Sequence, residues 1–245
     1  MSLATSSKNR QSRADQTRKI ILRAAVREFS THGFSGARTD AIAKAAKVNK
    51  ALLYYYFKSK QSLYAAALEE VSGKVIASAL DALDPRHSAG ERLLRMALNH
   101  FDRILTQREF QSLMQQEMVR FQRDEGGSIP ILIRKAFKPL LEKLREAVSE
   151  GVRAGELCEV DWLQVTYSMF GANVFYFLSA PMLQLALPFK PFDVDVLKSR
   201  REAAVQFLGQ ALFVDRARGI KLAKRVLAEM PMPQIKNFQV RRKWL

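Results

Sequence analysis

From Thr17 onward, apolar residues recur at helical spacing and strand-like alternation is missing. Glycine and proline, the residues that interrupt helices, cluster at a few points. These are His32-Gly33, Lys47-Val48, Lys58-Ser59, Asp84-Pro85, Gln107-Arg108, Glu125-Gly126-Gly127, Gly155 and Pro188 to Pro191, with turn-forming polar residues standing in where neither glycine nor proline occurs. The pattern restricts the chain to an all-α fold. It predicts about nine helices, three short ones followed by longer ones.

The 245 residues suit one or two domains, and an apolar share of 48% is ample for a packed core. The single cysteine, Cys158, excludes an internal disulfide and fits a reducing, cytoplasmic setting. Met1 to Asp15 is polar and basic without an apolar segment, so no secretory signal is expected. No charge occurs between Asp161 and Lys190, a span long enough to cross a bilayer at roughly 20 residues. Gln164, Thr166, Ser168, Asn173, Ser179 and Gln184 interrupt it, and Pro181 is expected to break it. It reads as a helix buried in a core or an interface, and no membrane partner is expected.

Charge is unevenly distributed. Met1 to Lys60 carries 13 lysines and arginines against 3 acids, and Arg216 to Leu245 carries 9 against 1. Between them, Gln61 to Asp215 carries 18 against 20. Basic ends on a nearly neutral body are the footprint of a polyanionic partner.

Met1 to Gln16 reads as a disordered basic arm. The first helix then runs from about Thr17 to His32, with Ile21, Leu22, Ala25, Val26 and Phe29 as its apolar stripe and Gly33 as a left-handed stop. Thr39 is expected to cap a second helix reaching Ala46, which turns its small residues inward. After Lys47-Val48-Asn49, Asn49 is expected to cap a third, Lys50 to Tyr56. Two short helices, a tight turn and small residues at the crossing form a helix-turn-helix pattern.

The flanks make the pattern specific. R-K-I-I-L-R-A-A-V-R-E-F-S-T-H-G-F and T-D-A-I-A-K-A-A-K-V-N-K-A-L-L-Y-Y-Y-F-K-S-K-Q-S-L closely resemble the DNA-binding domain of the TetR family of regulators. The detailed resemblance covers roughly the first quarter of the chain. It implies that Lys50, Ala51 and Tyr54 approach base edges in the major groove, and that Thr39, Tyr55, Tyr56 and Lys60 hold phosphates. A lysine suits guanine, a tyrosine ring suits a thymine methyl, and hydroxyls and ammonium groups suit phosphate oxygens. Leu53 and Phe57 read as core. Lys47 stands where the family commonly has a turn glycine, and its charge suits phosphate. Ala51 and Leu52 replace the frequent glycine and threonine, and Asp40 reads as a helix cap.

The expected domains are an arm at 1–16, a helix-turn-helix domain at 17–61, a helical ligand-binding and dimerisation domain at 62–230 and a basic tail at 231–245. Long amphipathic helices are expected over roughly Ser62–Leu83, Ala89–Gln107, Arg108–Arg123, Ile129–Gly155, Asp161–Ala180 and Asp193–Asp215, with one more around Ile220, Ala223 and Leu227. The resemblance implies a homodimer on an inverted-repeat double-stranded DNA operator, its interface including Phe175, Leu197, Ala204, Leu208, Ala211 and Leu212. It also implies a pocket for a small, largely apolar effector, lined by Phe101, Met114, Met118, Phe121, Tyr167, Phe170 and Asn173. The dispersed His32, His87 and His100 lack metal-ligand spacing, and no nucleophile or phosphate-loop motif occurs, so neither catalysis nor a cofactor is expected. A ligand-released repressor is the leading expectation; an architectural DNA-binding protein and a transcriptional activator are the alternatives.

Overall fold

The structure is a computed structural model that describes residues 2–125, 127–188 and 190–234. Its elements are α1 (Ser2–Gly36), α2 (Thr39–Ala45), α3 (Lys50–Phe57), α4 (Lys60–Ala82), α5 (Ala89–Thr106), α6 (Arg108–Gln122) and α7 (Ile129–Leu132). A π-helical turn (Ile133–Phe137) leads into α8 (Lys138–Arg153), followed by α9 (Trp162–Ala186), α10 (Val194–Ala211) and α11 (Arg216–Glu229). Among the described residues the only extended pairing is an isolated antiparallel bridge between Leu157 and Phe213. The expected all-α class is observed.

Several boundaries differ from the sequence reading. Helical backbone begins at Ser2, where a disordered arm was expected. No glycine or proline interrupts residues 2–32, so nothing local stops α1 from extending that far. Gly33 ends the regular stretch with φ 73°, as its position predicts. α9 continues through Pro181 to Ala186 instead of breaking there. Residues 235–245 of the basic tail lie outside the described residues.

The chain divides into two compact units, Met1–Lys74 with Arg108–Arg134 and Val75–Gln107 with Lys135–Leu245. A division at 61/62 would leave α6 with the body, but its side chains pack on α1. Ser112 Oγ and Gln116 Nε2 donate to Ser30 O at 2.6 and 3.3 Å. Glu117 is fully buried and accepts from Ser128 N at 2.7 Å and from Arg120 Nη1. The Arg120 guanidinium lies 4.4 Å from the Phe34 ring centre and 5.5 Å from that of Tyr64. Phe29 meets Tyr64 edge-on at 4.9 Å. Burial and the nearby Glu117 carboxylate push the Tyr64 hydroxyl well above its ordinary pKa.

In the second unit α5 is buried almost all round, enclosed by α8, α9, α10 and α11. Close packing uses glycines. A Cβ on Gly219 would lie 2.0 Å from Gly209 O, and one on Gly209 would lie 2.7 Å from Gly219 O. α10 and α11 therefore touch backbone to backbone. Arg201 crosses from α10 to α5 and grips Asp102 with two bonds of 2.8 Å, while its Nη2 also donates to Met230 O at 2.8 Å.

α9 is long and apolar enough to cross a bilayer by length and composition, yet only 17% of its most apolar window is buried. Leu163, Tyr167, Phe175, Leu178 and Met182 stand exposed along it. Phe207, Ala211 and Val214 are exposed on and just past α10.

Replacing Gly219 by alanine forces a methyl group into the Gly209 carbonyl. We expect Gly219→Ala to lower the unfolding free energy by about 1–3 kcal/mol in denaturant melts. Gly73→Ala serves as the control: it sits inside α4 with open space around its missing Cβ and should stabilise by about 0.5–1 kcal/mol.

Candidate DNA interface and effector region

In the first unit α2 and α3 are seated by buried Ile42, Ala43, Leu53 and Phe57. Asn49 caps α3 as expected, its side chain accepting from Leu52 N at 2.7 Å. Thr39 does not cap α2. It is the first helical residue, with Arg38 at the cap position. Glu28 of α1 accepts from Arg38 N at 3.1 Å through Oε1, a contact across the turn that the sequence does not signal. The turn is built without glycine, and Lys47 takes φ 56°, the left-handed region that favours glycine.

Asp40 also departs from the capping expectation. It accepts from Lys50 Nζ, at 2.9 Å to one oxygen and 3.1 Å to the other. Both groups are exposed, and Asp40 raises the Lys50 pKa. Thr39 Oγ1 and Tyr54 OH lie 3.3 Å apart, which ties the start of α2 to the middle of α3. Lys60 Nζ donates to Ser35 O at 3.3 Å and stands 5.2 Å from the Phe34 ring centre. Ala51 and Tyr55 are exposed, and Tyr56 meets Tyr55 edge-on at 5.4 Å. Between Ala37 and Lys60 six lysines and arginines accompany a single acid, Asp40. The surface therefore combines a short helix, phenol and hydroxyl groups, and an excess of positive charge, which suits a duplex groove and its phosphates.

The expected effector residues do not gather as one set. Met114, Met118 and Phe121 lie on α6 in the first unit, and Met118 and Phe121 are more than half exposed. Tyr167 is 67% exposed on the outer face of α9. Phe101 is spent on a core cluster with Leu105 and Leu197. Phe170 and Asn173 do come together, around His100 of α5, which the sequence reading left out. Asn173 Nδ2 lies 3.4 Å from both Ala97 O and His100 Nδ1. The Phe170 and His100 ring centres are 4.6 Å apart. Burial lowers the His100 pKa to about 4, so its imidazole is neutral near pH 7.

The expected interface residues divide in the same way. Leu197, Leu208 and Leu212 are buried in the chain's own core, while Phe175 and Ala211 face outward and Ala204 is half-buried. The stripe read on α10 was its inner face, because sequence periodicity does not tell an inner stripe from an outer one.

This helix-turn-helix geometry on an all-helical body defines a class, the DNA-binding transcriptional regulators. The profile of the bacterial regulatory proteins of the tetR family matches residues 21–67, and that of the tetracyclin repressor-like C-terminal domain matches residues 90–208. The chain belongs to the TetR family of transcriptional regulators. It is 47% identical over 62 residues to the transcriptional repressor NicS of Pseudomonas putida, a match that spans 25% of this chain and 29% of that one. The fold is similar to a γ-butyrolactone receptor (an ArpA-like protein) with a TM-score of 0.65 and 20% identity, over 89% of this chain and all of that one. It is also similar to AibR solved with isovaleryl coenzyme A and operator DNA, with a TM-score of 0.60 and 19% identity, over 78% and 97%.

A lysine held at φ 56° is strained by its Cβ, and glycine removes that strain. Lys47→Gly should raise the unfolding free energy by about 1 kcal/mol in thermal or denaturant melts. No gain, or a loss, would show that the Lys47 side chain stabilises the turn by a contact that outweighs its backbone cost.

Proposed function

We propose that this regulator is a homodimeric repressor that binds an inverted-repeat operator and leaves it when a small, largely apolar ligand enters the second unit. The observation that carries the DNA reading is the exposed start of α3, which presents Lys50, Ala51 and Tyr54 beside the anchored Thr39 and Lys60. Lys50 and Tyr54 are the base-reading residues. Thr39, Lys47, Tyr55, Tyr56 and Lys60 are the phosphate-holding ones. Asp40 holds the Lys50 ammonium until a base competes for it. The complex of AibR with an acyl-coenzyme A and operator DNA supports a ligand-responsive reading for a chain of this fold.

The dimer reading rests on the bare apolar face of α9 and α10. Tyr167, Phe175, Phe207 and Val214 are each more than 60% exposed. An apolar patch of that kind marks an interface, and a second copy of the same face would cover it by two-fold symmetry. The members are Tyr167, Phe175, Phe207, Ala211 and Val214, with Ala204 at the edge. Two recognition helices would then sit about 34–36 Å apart, one turn of duplex.

Two experiments test these readings. In salt-titrated anisotropy on a site selected from random DNA, Lys60→Ala should weaken all sequences and lower the salt slope by about 1. Tyr54→Ala should reduce discrimination by about 1–3 kcal/mol. Unchanged affinity and selectivity in both variants would sink the DNA assignment.

In sedimentation velocity at micromolar concentration, the wild-type chain should run as a dimer and the Phe175→Glu/Phe207→Glu double variant as a monomer. A monomeric wild type that floats with lipid vesicles would assign the face to membrane instead.

A further inference from the structure

The reading motif uses the positive charge at one end of the chain and leaves the charge at the other end without a role. Five cations of that second group, Arg216, Arg218, Lys221, Lys224 and Arg225, belong to α11, where Glu229 is the one acid. The inner side of α11, formed by Gly219, Leu222, Ala223 and Val226, is buried, and the helix packs on α5 and α10. That packing fixes which side faces out. Lys221 and Lys224 lie at the centre of the outer side, one turn apart, between exposed Ala217 and Ala228.

The arginines at the edge of this face are matched by the body. Arg218 lies 3.6 Å from Glu156, and Arg225 donates to Glu91 at 2.6 Å. The two lysines are not matched. No acid stands three or four positions from either of them, and among the described residues neither forms an ion pair. Every other lysine on the α-helices of this unit has an acid in register: Glu142 for Lys138, Glu146 for Lys143 and Glu202 for Lys198.

This arrangement works against the helix. Like charges one turn apart repel. Beyond the Asp215 cap, Arg216 and Arg218 also place cations in a first turn that holds no acid, where the helix dipole disfavours them. Residues that cost local stability and fill no core position point to a partner. The partner must be anionic. It must also need no apolar face, because α11 has already spent its own inside the unit. A phosphate backbone meets both conditions, whereas a surface helix enters a bilayer with its apolar side. The sequence after α11 continues the excess with Lys236, Arg241, Arg242 and Lys243 and no acid.

We propose that the outer face of α11, centred on Lys221 and Lys224, is a second DNA contact that holds duplex phosphates irrespective of sequence. Lysines that meet phosphate oxygens carry no sequence information. The face therefore adds affinity for operator and random duplex alike and adds no selectivity.

The test is salt-titrated anisotropy of the full chain on a selected operator and on a random duplex. Lys221→Gln/Lys224→Gln should lower the salt slope by about 2 on both, since each neutralised phosphate contributes about 0.9. The ratio of the two affinities should stay within about twofold. The control, Lys138→Gln/Lys143→Gln, removes the same charge from lysines with acids in register and should leave the slope unchanged. Lys221→Gln/Lys224→Gln should also melt no lower than the wild type, because it removes a repulsion.

An unchanged slope overturns the proposal, and an equal fall in the control assigns the effect to net charge and overturns it too. A melting point well below wild type shows that the two lysines serve the fold instead. Flotation of the wild type with phosphatidylserine vesicles, lost in Lys221→Gln/Lys224→Gln while the slope on duplex stays unchanged, gives the face to a membrane. Selectivity lost together with the slope makes the contact a base-reading one and overturns its independence of sequence. Failure of the α3 assignment is distinguishable, since it is read from Tyr54→Ala and Lys60→Ala and leaves these slopes where they are.

Discussion

A helix enclosed on every side must find a partner for each polar group it buries, and α5 works under that constraint. Its backbone closes its own hydrogen bonds, so only side chains can join it to its neighbours. Apolar residues supply the area: Leu93, Leu94, Met96, Ala97 and Leu98 are nearly or fully buried. Charged residues supply the direction. Arg201 reaches Asp102 from α10, Glu150 reaches Arg92 from α8, and Arg225 reaches Glu91 from α11. Each bond crosses from α5 to a different helix, so together they fix how α8, α10 and α11 sit against α5. Burial pushes the Asp102 carboxyl pKa up while Arg201 pulls it down, which is the usual tension of an ion pair taken out of water.

The first unit solves a different problem, which is to present a short helix of eight residues firmly enough to read a duplex. α3 cannot hold itself. Leu53 and Phe57 anchor it from below, the Arg18 guanidinium lies 5.2 Å from the Phe57 ring centre, and Thr39 ties to Tyr54 across the turn. Lys60 is held in the same way, by Ser35 O and the Phe34 ring, and that ring is covered in turn by Arg120 of α6. Lys60, proposed above to hold a phosphate, is thus positioned in part by a helix that belongs, in sequence, to the middle of the chain.

The helices and the turn were legible because they depend on short-range rules. Apolar spacing in α1, the stop at Gly33 and the Asn49 cap each involve residues within a few positions of one another. What was not legible depends on partners far along the chain. Asp40 carries every local sign of a cap, but Lys50 lies near enough to take it. Leu197, Leu208 and Leu212 look like an interface stripe, but α5 and the other helices of the unit already cover them. Tyr167 looks like a pocket anchor, but the face of α9 that turns inward carries Asn173 instead. His100 gave no signal, since a lone histidine inside an apolar helix looks the same whether or not an asparagine faces it.

By itself the sequence determined the all-helical class, the position of the reading motif, the family type and the concentration of charge at the two ends. All of these follow from periodicity, local chemistry and counting, which need no third dimension. Tertiary structure decided which face of each long helix is spent inside the chain and which is left for a partner. It placed α6 with the reading unit and brought Phe170 and Asn173 to His100. The physical reason is that a helix satisfies its backbone internally and is indifferent to which way it faces, so only packing against distant helices fixes that choice.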